Sequence, residues 1–159
     1  MNITKYILTI TYLIFLAACG GGSDSTGTVA TVAKTTMNLT VVLNGSNASQ
    51  VKGIQATITL PDGVIVKAGS DGQITDGVII PSNTTPDGLI VGKCIAAEKK
   101  VSIVFETTKD MVAGDLATIT LDLNAGTTAP AATAFEIISS KLVGGSEVDV
   151  VPDTWLSLR

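Results

Sequence analysis

The sequence predicts an all-β antiparallel domain, a sandwich or a barrel, behind a signal peptide and a flexible tether. Three observations carry this. Apolar and polar residues alternate with a period of two in successive segments. Turn-forming Pro, Asp and Gly recur between those segments, at a spacing of about 8–12 residues. No stretch shows convincing helical spacing; Thr107 to Asp115 has room for one turn at most.

The chain opens with one charge, Lys5, and an apolar run from Tyr6 to Ala18. That run is shorter than the ~20 residues a bilayer-spanning helix needs, and small residues close it, as in a secretory signal peptide. Leu16-Ala17-Ala18-Cys19 looks like a bacterial lipobox. The resemblance implies cleavage before Cys19, which would carry lipid, and removal of residues 1–18. Gly20 stands where aspartate is typical of inner-membrane retention, so the same resemblance favours the outer membrane. Residues 19–36, rich in Gly, Ser, Thr and Ala, read as a tether with a reach of roughly 20–25 Å. Residues 37–159 form the expected domain, and the 141 residues left after cleavage suffice for one.

Each strand follows from its pattern. Leu39, Val41 and Leu43 alternate with Thr40, Val42 and Asn44. Ile54, Ala56, Ile58 and Leu60 alternate with Gln55, Thr57 and Thr59. Pro61-Asp62-Gly63 then makes a tight turn between strands, with proline presetting φ and glycine allowing φ > 0. Asp76-Gly77, Pro86-Asp87-Gly88 and Gly144-Gly145 punctuate further strands. Val101, Ile103 and Phe105 alternate with Ser102, Val104 and Glu106; Ala117, Ile119, Leu121 and Leu123 alternate with Thr118, Thr120 and Asp122. Between Ala68 and Ala97 turns are dense and no strand is assigned.

Chemistry is excluded more readily than found. Histidine is absent, which removes Ser-His-Asp catalysis and histidine zinc sites. Neither glycine-rich phosphate-binding pattern is present. A carboxylate pair for glycoside hydrolysis is compatible with the 14 acidic residues, but sugar-gripping aromatics are scarce. Past the leader only Phe105, Phe135 and Trp155 remain, and the two phenylalanines read as core. Asp71 and Asp76 lack the spacing of a calcium loop and read as two Asx-Gly turns. The N-x-[ST] triplets at Asn38, Asn44, Asn47 and Asn83 read as chance matches in a threonine-rich chain. No enzyme activity, cofactor or metal is expected. The mature chain would hold nine basic against 14 acidic side chains, which argues against a nucleic-acid partner. With Cys19 lipidated, Cys94 has no disulfide partner in the chain, and its apolar neighbours predict a buried core filler.

Val51-Lys52-Gly53-Ile54 leading into the alternation to Leu60, then Pro61-Asp62-Gly63-Val64, resembles the early strand pair of cohesin modules. Lys100–Glu106 followed by Ala113–Leu121 resembles their later half, and Phe135–Val150 their closing strands; the likeness runs from Met37 to Val151, with Ala68–Ala97 departing from it. The resemblance implies a jelly-roll sandwich of about nine strands that binds without catalysis. In cohesins the strand matching Gly53–Leu60 presents its outward side chains to a partner. That makes Gln55, Thr57 and Thr59 the candidate binding face here, with a dockerin-like or other envelope protein as the implied partner. A carbohydrate-binding module of the same architecture, taking a polysaccharide, is the alternative, and a structural envelope lipoprotein the third reading.

Overall fold

The computed structural model describes residues 35–82, 88–145 and 151–159. The leader, Cys19, the tether up to residue 34, Asn83 and Pro86-Asp87 lie outside the described residues. Within them the expected jelly-roll sandwich is present, with nine strands and only single 3-10 turns of helix.

The strands are β1 (Thr35–Gly45), β2 (Val51–Thr59), β3 (Val64–Ile65), β4 (Ile79–Pro81), β5 (Leu89–Ile95), β6 (Lys100–Glu106), β7 (Gly114–Leu123), β8 (Glu136–Gly144) and β9 (Thr154–Leu158). One sheet has the order β3-β7-β1-β9, with β4 also pairing to β7; the other has the order β5-β6-β2-β8. They are called the β1 sheet and the β2 sheet below. All pairings are antiparallel. β1 begins at Thr35, inside the segment read as tether, because Thr35 and Thr36 pair with Leu123 and Asp122.

The period-two pattern fixes which faces meet. Leu39, Val41 and Leu43 of β1, with Ile119, Leu121 and Leu123 of β7, face Ile54, Ala56 and Ile58 of β2 and Val101, Ile103 and Phe105 of β6 across the sandwich. Each of these is nearly fully buried, so the apolar faces are removed from water at about 25 cal/mol per Å². The pattern breaks at β-bulges, where an extra residue shifts the register. One lies between Val41 and Val42, opposite Leu116, and it lets the neighbours Leu116 and Ala117 both turn inward. Another leaves Ile138 of β8 unpaired and exposed.

The turn at Pro61-Asp62-Gly63 differs from the expected strand pair. Val64 N–H donates to the Pro61 carbonyl at 3.3 Å and Gly63 has φ +79°, so the local turn forms as predicted. However, β3 pairs with β7 and not with β2. The turn is a corner that carries the chain from one sheet to the other. Thr107–Ala113 contains no helix; it is a loop that drives Met111 into the core.

The stretch before β5 also has a definite form. Gln73 N–H bonds the Asp71 carboxylate at 3.0 Å, and Val78 N–H bonds the Thr75 carbonyl at 3.2 Å across Asp76-Gly77. These are the two Asx-Gly turns. They fold residues 68–76 into a strap whose Gln73 bridges Lys93 on the outer edge of β5. The strap thereby covers part of an edge that would otherwise offer unpaired backbone groups.

Candidate functional site

β2 is an interior strand of its sheet, flanked by β6 and β8. Alternation puts Ile54, Ala56 and Ile58 in the core and turns Gln55, Thr57 and Thr59 to the outer face, as the sequence predicts. The register then names their neighbours. Gln55 lies between Val104 and Lys141, Thr57 between Ser102 and Ser139, and Thr59 between Lys100 and Glu136. The row of β2 is uncharged, but the rows beside it are not.

One row further along, Gly53 lies between Glu106 and Val143, with Leu89 beyond Glu106. A glycine at an outward position leaves a gap in the row. A Cβ built there would meet Val143 Cβ at 3.6 Å and the Phe105 carbonyl at 3.8 Å, ordinary van der Waals contact, so glycine is not required there for room. Gly53 is thus the floor of an open depression of about 640 Å³, walled by Leu89, Val104, Val143, Gln55, Glu106 and Lys141. Lys52 stands on its rim. It is the extra residue of a bulge between Val51 and Gly53, and its Nζ donates to Asp110 Oδ1 at 2.6 Å. That ion pair fastens the Thr107–Asp110 loop to β2, together with Thr107 N–H bonding the Lys52 carbonyl at 2.9 Å.

The depression mixes apolar and polar chemistry. Leu89 is 59 % exposed and Val91, next outward on β5, is 45 % exposed. Sequence reasoning found Gln55, Thr57 and Thr59 but not Leu89, Val104, Val143 or Lys141. Those neighbours come from β5, β6 and β8 through register. Gly53 carried the only local signal: a glycine at an outward strand position.

Cys94 is half-buried on β5, at the margin of the core, and not the fully buried filler expected. β5 is an edge strand, so its inward residues meet fewer neighbours than those of β2 or β6. The partial burial raises the thiol pKa. Among the described residues no group of His, Cys, Asp or Glu comes together to hold a metal. Phe105 and Phe135 are buried, and Trp155 on β9 is exposed.

No protein-family model matches the chain, and no curated protein matches it. Among solved structures it is similar to a type II cohesin–X-dockerin complex, an N-terminal interface mutant from Acetivibrio cellulolyticus. That likeness has 12% identity and a TM-score of 0.44, over 69% of this chain and 78% of the other. It is also similar to a type II cohesin from Bacteroides cellulosolvens, with 13% identity and a TM-score of 0.44 over 77% of each chain.

Proposed function

We propose that the chain is a non-catalytic interaction module that binds a protein partner on the outer face of the β2 sheet, held at the cell envelope by lipid on Cys19. The depression over Gly53 is the observation that carries this reading. It offers a recess for an anchoring side chain, apolar walls from Leu89, Val104 and Val143, and polar groups from Gln55, Glu106 and Lys141 around it. Interfaces concentrate their binding energy in a few such anchors, inside a polar rim.

Size limits the reading. Four strands spaced ~4.8 Å apart and seven residues long give a footprint on the order of 400 Å². A stable interface buries about 800 Å² on each partner. The partner therefore extends over the Thr107–Asp110 loop as well. The depression lies at the Gly45 end of the sandwich, and the chain enters at Thr35, the opposite end of β1.

The experiment is chemical cross-linking in whole envelopes, with the linked partner identified by mass. The charged pair Gln55→Lys with Thr57→Glu is expected to abolish the cross-link while the melting temperature moves by less than about 2 °C, since both residues face solvent. An unchanged cross-link in that folded variant places the partner elsewhere. For the anchor, Cys19→Ser is expected to lose the lipid and to raise the protein's mass by the uncleaved leader less the lipid. A Cys19→Ser protein that pellets with unchanged mass refutes lipid attachment there.

A further inference from the structure

We propose that the outer face of the opposite sheet, the β1 sheet, carries a site for a neutral saccharide chain centred on Trp155. Trp155 is the only tryptophan in the sequence, and it is 57 % exposed, whereas both phenylalanines of the domain are buried. Among the described residues the aromatics thus lie in the core with this one exception. An indole held open to water costs hydrophobic free energy unless something covers it.

The surroundings of Trp155 say what would cover it. It is paired with Asn44 on β1, and Ser157 is paired with Val42. Beyond Val42 lies Asp115, and beside Thr40 lies Arg159. Asn44 Nδ2 is committed to Ser157 Oγ at 2.9 Å and to the Val42 carbonyl at 3.3 Å, which leaves Asn44 Oδ1 as an acceptor next to the indole. The two charges of the patch neutralise each other, since Arg159 Nη2 donates to Asp115 Oδ2 at 2.5 Å. Around Trp155 the face therefore offers an apolar plate, an amide oxygen and a hydroxyl, with the Asp115 and Arg159 charges paired to each other; Asp122 lies farther along β7, opposite Thr36. A pyranose ring has the matching surface: an apolar C–H face to stack on the indole and neutral hydroxyls at its rim. An ionic ligand would have to break the Asp115–Arg159 pair.

Charge argues against an anionic membrane surface as the occupant. Among the described residues no cluster of lysines or arginines surrounds Trp155.

Being the only tryptophan, Trp155 is its own reporter. The full chain carrying Cys19→Ser is titrated with cellohexaose while its emission is followed. A saturable blue shift is expected, with half-saturation on the order of 0.1–1 mM, as suits a small contact. Asn44→Ala is expected to weaken binding about tenfold through one lost hydrogen bond. Trp155→Ala is expected to abolish the heat of binding in calorimetry, at an unchanged melting temperature. The proposal fails if cellohexaose at about ten times that range leaves emission unmoved. It also fails if folded Trp155→Ala binds as before, or if the shift comes with phosphatidylethanolamine vesicles and not with the sugar. The site lies on the other sheet from Gln55 and Thr57, so its failure leaves the protein-binding reading standing, and the reverse holds too.

Discussion

Gly45 ends β1 with φ +109°, and a Cβ there would stand 2.0 Å from the Asp153 carbonyl oxygen. Gly77 has φ +80° with nothing within 4 Å of the same position. The two separate conformational strain from collision. Gly77→Ala meets only the left-handed penalty, about 1 kcal/mol. Gly45→Ala adds an overlap with backbone that cannot rotate away, and about 3 kcal/mol or more follows. At roughly 4 °C per kcal/mol for a domain of this size, thermal melts should place Gly45→Ala some 10 °C below wild type and Gly77→Ala near 4 °C below. Equal losses would mean that the close approach of β1 to the turn before β9 is absent. Cys94 gives a second test at this scale. Its burial holds the thiol pKa above its ordinary value, so the folded state keeps its proton where the unfolded state has lost it. Stability from this group is intact below the unfolded thiol's pKa, near 8.5, and declines as pH climbs toward the folded value. Wild type should therefore lose more melting temperature between pH 7 and pH 10 than Cys94→Ala does. Identical losses would show that the thiolate is as well solvated folded as unfolded.

At the scale of elements, what could be read from the sequence depended on whether a segment's signal is local. β1, β2, β6 and β7 have one face in the core and one in water, so period-two alternation marks them. β8 lies at a sheet edge and carries a bulge at Ile138, so its inward residues, such as Ile137 and Leu142, fall out of step and the pattern blurs. β9 lies beyond the Met37–Val151 span of the cohesin resemblance. The corner at Pro61–Gly63 shows the limit most directly. Its turn chemistry is identical for a hairpin and for a crossing between sheets, because the choice rests on Val64 finding Leu123, about sixty residues away. The candidate face divides in the same way. The outward direction of Gln55, Thr57 and Thr59 is a property of one strand. The depression over Gly53 exists only once β6, β8 and β5 bring Glu106, Val143 and Leu89 alongside.

At the scale of the molecule, the first and last strands close the sandwich together. β9 pairs with β1 over Val41–Gly45, and the backbone of Arg159 exchanges two hydrogen bonds with Thr40, at 2.9 and 3.0 Å. Leu156 and Leu158 pack on the core from this strand. Two kinds of interaction would vanish with residues 154–159, and their sizes differ. The Arg159–Asp115 pair has its arginine side chain 67% and its aspartate 38% exposed, and exposed pairs contribute about 0–1 kcal/mol. The two leucines contribute roughly 1–2 kcal/mol each even when partly covered, and the edge of β1 would lose five residues' worth of ladder beside Val41 and Leu43, both fully buried. Against a total stability of about 5–15 kcal/mol, removal of the strand is decisive and removal of the ion pair is not. Deletion of 154–159 should abolish the cooperative melt and open the chain to limited proteolysis. Arg159→Ala should stay within about 3 °C of wild type. A truncated chain that still melts cooperatively would show that β1 and β7 close the sheet without β9. A large loss in Arg159→Ala alone would assign the closure to the ion pair instead.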